Sequence, residues 1–141
     1  MEEGYKLFSI DRLVSQRRIE QYAEASGDFN PIHVDPDFAA TSQFGTTIAH
    51  GMMVAATISE MMTAEFRADW PSTGRLKIRF RAPVLSGETV AAHGVVSRVR
   101  RRDEGLEIVC SVGVNKQDGQ AAITGEATVL IPADVGLGAR G

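Results

Sequence analysis

The sequence predicts an α+β fold in which an antiparallel sheet wraps around a long central helix. Three observations lead there. From Gly51 to Phe66 the chain carries Met52, Met53, Val54, Ala55, Ala56, Ile58, Met61, Met62, Ala64 and Phe66, leaving nearly every helical face apolar. A helix of that kind is buried all round. The second half alternates apolar and polar residues between tight turns, as half-buried strands do. At 141 residues the chain is most simply one domain, so that sheet is what must bury the helix. The expected domain runs over 1–133, followed by a loose tail over 134–141 that contains three glycines.

Each element has its own signal. Tyr5 to Ile10 reads as a short first strand. Ser15 is placed to cap a helix over Gln16 to Ala25, with Ile19, Tyr22 and Ala23 at helical spacing. Gly27 ends it. Asp35-Pro36 is a cap followed by proline at the first helical position, predicting a short helix through Phe38 and Ala40 that stops before Gly45. The Gly51–Phe66 helix should be about 24 Å long. Its methionines also suit a promiscuous binding surface, but Ala55, Ala56 and Ala64 suit close packing better. Leu76, Ile78 and Phe80 alternate with Lys77, Arg79 and Arg81, giving a strand with one apolar and one basic face. Pro83 ends that strand and Ser86-Gly87 turns the chain into a second over Thr89 to Arg100. Asp103-Glu104-Gly105 leads to a third, where Leu106, Ile108, Cys110, Val112 and Val114 alternate. Asp118-Gly119 is a hairpin signal before a fourth over Ala121 to Ile131. Short consecutive connections make such a sheet antiparallel.

Composition narrows the function. A net charge of −3 gives no support to nucleic-acid binding, which calls for a strongly basic face. Cys110 is the one cysteine, so no intrachain disulfide is needed, and its place in an apolar alternation makes it a core residue. No run approaches the roughly 18 apolar residues of a membrane span. Met1-Glu2-Glu3-Gly4 begins no secretory leader. The expectation is a cytoplasmic protein.

The segment Gly27-Asp28-Phe29-Asn30-Pro31-Ile32-His33 carries the chemistry. Pro31 restricts Asn30 to extended backbone and donates no N–H, so Asp28 and His33 are expected on a stiff loop. Such residues dominate turns on structural grounds alone. A carboxylate and an imidazole that converge can also share one water and move its protons.

Tyr22-Ala23-Glu24-Ala25-Ser26-Gly27-Asp28-Phe29-Asn30-Pro31-Ile32-His33-Val34-Asp35, followed by Ile48-Ala49-His50-Gly51-Met52, resembles the MaoC-like (R)-specific enoyl-CoA hydratases. Phe80-Arg81-Ala82-Pro83-Val84 and Gly87-Glu88-Thr89-Val90 look like that family's strand and turn. The resemblance implies a hot-dog fold, a homodimer or higher homo-oligomer, and acyl-CoA substrates with no separate cofactor. It also implies reversible addition of water to a trans-2-enoyl-CoA, giving an (R)-3-hydroxyacyl-CoA, with Asp28 and His33 as the acid–base pair. His33 suits the base, since imidazole titrates near 6.5, with Asp28 mediating delivery to C2. The reverse assignment, with Asp28 as base and His33 as its orienter, stays open.

Supporting roles follow. The Gly51 N–H at the helix start suits an oxyanion donor, although glycine also simply begins helices. Asn30 holds the loop or the water. Ser59 sits where the family's short-chain enzymes carry a serine near the acid, and is equally a tolerated small polar residue. His50 caps the turn before Gly51. Met52, Met53 and Met62 are candidates for the acyl pocket. Arg79 and Arg81, with Arg75 and Lys77, are candidates for the coenzyme phosphates; Arg98, Arg100, Arg101 and Arg102 form the competing cluster. His33, Asp35, Asp37 and His50 do not match a zinc spacing, and no metal is expected. Two other functions compete: a thioesterase using Glu60 or Glu65 of the long helix, and a silent acyl-CoA-binding or partner subunit. Neither glutamate falls in a recognisable motif, and the Asp28–His33 loop would be idle in a thioesterase; the intact Asp28, Asn30, His33 and Gly51 set speaks against the silent subunit.

Overall fold

The computed structural model describes residues 1–133; the expected loose tail over 134–141 lies outside them. In chain order the elements are β1 (Ile10–Leu13), α1 (Gln16–Ser26), α2 (Pro31–Val34), α3 (Pro36–Ala40), α4 (Gly51–Phe66), α5 (Asp69–Thr73), β2 (Arg75–Phe80), β3 (Thr89–Arg102), β4 (Gly105–Lys116) and β5 (Ala121–Pro132). The strands form one antiparallel sheet in the order β1-β3-β4-β5-β2. Consecutive hairpins account for β3, β4 and β5. β2 pairs with β5 at one edge rather than with its successor β3, so the connection after Pro83 crosses the sheet.

The helix α4 lies against this sheet as the sequence implied, but it is not buried all round. Val54, Ala55, Ile58, Met61, Met62 and Phe66 enter the core with Ile108, Val114, Ala122 and Val129. Met52, Ala56, Glu60 and Thr63 form an exposed stripe along its other side. One sheet can cover only one side of a helix, and α1 to α3 do not cover the remainder. Close approach on the buried side depends on Gly94 of β3, where a Cβ would stand 3.0 Å from Met61 Cε. Fully burying a side chain such as Ile58 is worth about 1.5–3 kcal/mol.

Several local expectations are corrected. The first strand is β1 at Ile10–Leu13, not Tyr5 to Ile10. Residues before it do pair with β3, Leu7 N–H donating to Gly94 O at 3.0 Å. At Ser9 the side-chain hydroxyl takes the Ala92 carbonyl at 2.7 Å, so side chain replaces backbone and the ladder is interrupted. Phe80, placed by alternation on the apolar face, is 56% exposed. The single-turn helix α5, which buries Trp70, went unseen because five residues are too few to show a period. Segment 31–34, expected as loop, closes one helical turn, because Pro31 stands at its first position, where a missing N–H costs nothing.

Candidate active site

The site is built where α1, α2 and the start of α4 meet. Ser15 Oγ accepts from Arg18 N–H at 3.2 Å to start α1. Gly27, left-handed at φ 78°, ends it with its N–H on Ala23 O. Only a residue tolerant of that φ turns the chain so sharply, and the turn delivers Asp28. Asp28 Oδ1 accepts from Asn30 N–H at 3.2 Å, and Asn30 Oδ1 accepts from Ile32 N–H at 3.1 Å, capping α2. Asn30 therefore holds the loop, one of its two expected jobs. Asp35 is committed in the same way to α3, accepting from Asp37 and Phe38 N–H.

α2 presents His33, whose geometry fixes its tautomer. Its Nδ1 lies 2.8 Å from the Ile48 carbonyl. A carbonyl only accepts, so Nδ1 carries the hydrogen and neutral His33 keeps its lone pair on Nε2. Gln16 anchors the same turn from α1: its Nε2 donates to His33 O at 2.9 Å and its Oε1 accepts from Thr47 Oγ1 at 2.6 Å. Ile48 N–H in turn donates to Ile32 O at 3.2 Å. His33 is thus held through both its ring and its backbone.

Asp28 and His33 do converge. A carboxylate oxygen of Asp28 and ring nitrogens of His33 and His50 lie within 4.8 Å of one another. A water accepting and donating two bonds of ordinary length at a tetrahedral angle spans about 4.6 Å. Asp28 is exposed and His33 half-buried, so solvent reaches the pair.

His50 is buried, 3% exposed, immediately before α4. It was expected to cap the turn before Gly51; it stands at the N-cap position of α4, but its side chain makes no capping bond. Its Nε2 instead faces the Asp28 carbonyl at 2.9 Å. Its ring stacks on His33, centroids 3.9 Å apart at 23°, and meets Tyr22 on the way to α1 at 4.8 Å. Asp28, His33 and His50 are close enough to suggest a metal, whereas Asp35 and Asp37 do not join them. Near-parallel stacked rings send their in-plane lone pairs side by side rather than to one point, and one nitrogen of each ring is already bound to a carbonyl. The set does not fit a tetrahedral centre.

Gly51 opens α4, where first-turn N–H groups lack partners within the helix. Its backbone is ordinary; what demands glycine is space, since a Cβ there would lie 2.8 Å from Phe80 Cε1. Gly51, Ile48, Val54, Phe80, Pro83 and Ile123 help line a cavity of about 310 Å³ beside the helix start. Asp28 and His33 do not line it, although Ile48 and Gly51 tie the two together. A second cavity, about 360 Å³, lies between β1, α1 and α4 and includes Tyr22, Met53, Val54 and Thr57.

The remaining candidates separate. Met53 reaches the second cavity, Met52 is 61% exposed, and Met62 is wholly inside the core, so the three do not line one pocket. Ser59 is half-buried, two turns and about 12 Å along α4 from Gly51, with no hydrogen bond to Asp28 or His33 among the described residues. Arg81 Nε donates to Thr124 Oγ1 at 2.9 Å beside Phe80. At the far end of the sheet Arg102 pairs with Glu107 at 3.1 Å, and Arg75 Nη2 lies 3.8 Å from the same carboxylate. These cations hold the Glu107 carboxyl below its ordinary range, the Arg102 hydrogen bond first, against the opposing pull of burial. Glu60 pairs with Arg12 and Glu65 accepts from Tyr5 Oη at 3.1 Å, so neither thioesterase candidate stands free beside the site. Gln16, Tyr22 and His50 were missed as site residues. A histidine where Ser, Thr, Asp or Asn would cap a helix was the available clue.

The fold and this geometry agree with what the chain is similar to. The MaoC like domain family matches residues 3–121. An (R)-specific enoyl-CoA hydratase of Rhodospirillum rubrum is 34% identical over 127 residues, covering 89% of this chain and 85% of its own length. A 3-hydroxybutyryl-CoA dehydratase of Methylorubrum extorquens is 36% identical over 129 residues, 87% of this chain and 76% of its own. The solved (R)-hydratase of Aeromonas caviae superposes with a TM-score of 0.81 at 29% identity, over 94% of this chain and 98% of that one. The chain belongs to the MaoC-like family, and its fold is the hot-dog fold of those hydratases.

Proposed function

We propose that this protein is an (R)-specific enoyl-CoA hydratase, a hydro-lyase that reversibly adds water to a trans-2-enoyl-CoA to give an (R)-3-hydroxyacyl-CoA. The observation that carries the reading is the Asp28–His33 pair, spaced for one bridging water, beside the amino end of α4. Water bonds to C3 as it loses a proton to His33 Nε2. The C2=C3 π electrons move toward the thioester oxygen, and C2 then takes the proton that passes from the His33 imidazolium through the Asp28 carboxylate, so both side chains end as they began. The Nδ1–H bond to Ile48 supports His33 as the base, because it leaves Nε2 free to accept. Charge building on the thioester oxygen is met by the Gly51 N–H and the positive end of α4. The reaction is redox-neutral and asks for no cofactor, since coenzyme A belongs to the substrate. Ser59, two turns along α4, is assigned at most a lining role.

Arg79 and Arg81 are the better candidates for the coenzyme phosphates, because Arg81 lines the cavity beside Gly51 and shares an adjoining basic hollow with Arg79 and Lys77, while Arg102 is occupied by Glu107. A homodimer or larger homo-oligomer is supported by the open edge of β2 and the exposed stripe of Met52, Ala56 and Thr63. Light scattering at micromolar concentration tests it; a monomer is the result against it. A cytoplasmic location is supported by the free buried Cys110.

The decisive assay follows loss of enoyl-thioester absorbance from crotonyl-CoA and longer homologues, with chiral analysis of the product. The (R)-alcohol without thiol release is expected. No hydration at any chain length, or release of free thiol in its place, overturns the reading.

A further inference from the structure

We infer that His50 is a positioning residue for the Asp28–His33 pair, acting through an Nε2–H donor to the Asp28 backbone and a ring face against His33. The inference rests on the hydratase reading for its kinetic test, but not for its structural one.

His50 Nδ1 is buried and has no hydrogen-bond partner among the described residues. A buried polar atom left alone is costly, and Ala49 and Gly51 on either side do not demand an imidazole. The opposite edge of the ring explains the residue. Its Nε2 is 2.9 Å from the Asp28 carbonyl oxygen, which can only accept, so Nε2 carries the hydrogen and Nδ1 keeps the lone pair. His33 is held in the other tautomer, with the hydrogen on Nδ1 directed at Ile48 O. Segment 48–51 thereby addresses each reacting residue separately: the Ile48 carbonyl fixes the His33 ring, the His50 ring fixes the Asp28 backbone, and Gly51 follows with its N–H. The stack of 3.9 Å adds a steric stop that keeps His33 from turning away from Asp28. Asp28 needs such an anchor because its own turn is exposed and follows a left-handed glycine. His50 touches none of the reacting atoms in this account; it sets the distance between groups that do.

Two substitutions divide the ring's functions. His50→Phe keeps a flat face for His33 and loses the donor. His50→Gln loses the face and can still present an amide N–H to the Asp28 carbonyl. Misplacing a reacting group by about 1 Å costs on the order of 100-fold in rate. His50→Phe should therefore lose about 10- to 100-fold in kcat with KM for crotonyl-CoA changed less than about threefold. His50→Gln should recover a clear part of that loss. Wild-type kcat in His50→Phe overturns the inference. Should His50→Phe fail to fold, nitrogen-15 NMR of the wild-type imidazoles decides: a proton on His50 Nε2 and none on Nδ1 supports it, and the opposite tautomer overturns it. That measurement stands even if the wild-type protein hydrates nothing, so failure of the hydratase reading is told apart from failure of this one.

Discussion

Residues 28–34 and residues 48–51 meet at one site and contribute to it in opposite ways. The first segment carries the side chains that can move protons. It is largely exposed and closed by its own short turns, Asp28 to Asn30 and Asn30 to Ile32. The second buries Ala49 and His50 between a half-buried Ile48 and an exposed Gly51, and offers one carbonyl, one imidazole and one helix-start N–H. The lesson is that reactive groups can stay open to solvent and still be precise when a buried neighbour fixes them.

The largest losses are expected at Asp28 and His33. Asp28→Ala and His33→Ala should each lower kcat by about 10²–10⁴. Steady-state kinetics and a melting curve check this, and near-normal turnover in both would remove the chemical role of segment 28–34. Next comes Gly51→Val, expected to cost about 10²–10³ in kcat. The new side chain also strikes the Phe80 ring, so the same change is made in a Phe80→Ala background. Activity restored there would assign the loss to the ring and not to the N–H. A smaller effect is expected in Gln16→Leu, which strands the Thr47 hydroxyl and the His33 carbonyl. Urea unfolding should show a loss of about 1–3 kcal/mol, with a lesser fall in kcat than at His33.

Cys110 sharpens the contrast from the silent side, since it is buried yet holds no reacting group. Burial, and secondarily the Glu65 carboxylate, push its thiol up to about 11. The folded thiol thus keeps its proton longer than the unfolded one. Its contribution is constant at neutral pH, and stability should fall as pH rises from about 9 toward 11. At pH 8 a thiol reagent should label Cys110 only when denaturant is added; rapid labelling without loss of activity would contradict the burial.

Local chemistry made much of this legible. Ser15, Gly27, Asp35-Pro36 and Asp118-Gly119 mark element boundaries because each acts within a few residues of itself. The alternation from Leu106 to Val114 marked β4 for the same reason. The Phe80 alternation misled, since period 2 tells which face a residue takes and not whether anything covers that face. Uniform apolarity in α4 likewise concealed which of its sides the sheet would take.

By itself, then, the chain determined helices α1, α3 and α4, its hairpins and its family, and it marked Asp28 and His33 as candidates, each from residues close together in sequence. Tertiary structure alone decided that β2 closes against β5, that one face of α4 is left open, and that His50 faces Asp28 across 22 residues. It also decided the two histidine tautomers. A tautomer follows from the carbonyl a ring nitrogen meets, and those carbonyls belong to segments brought together only by folding.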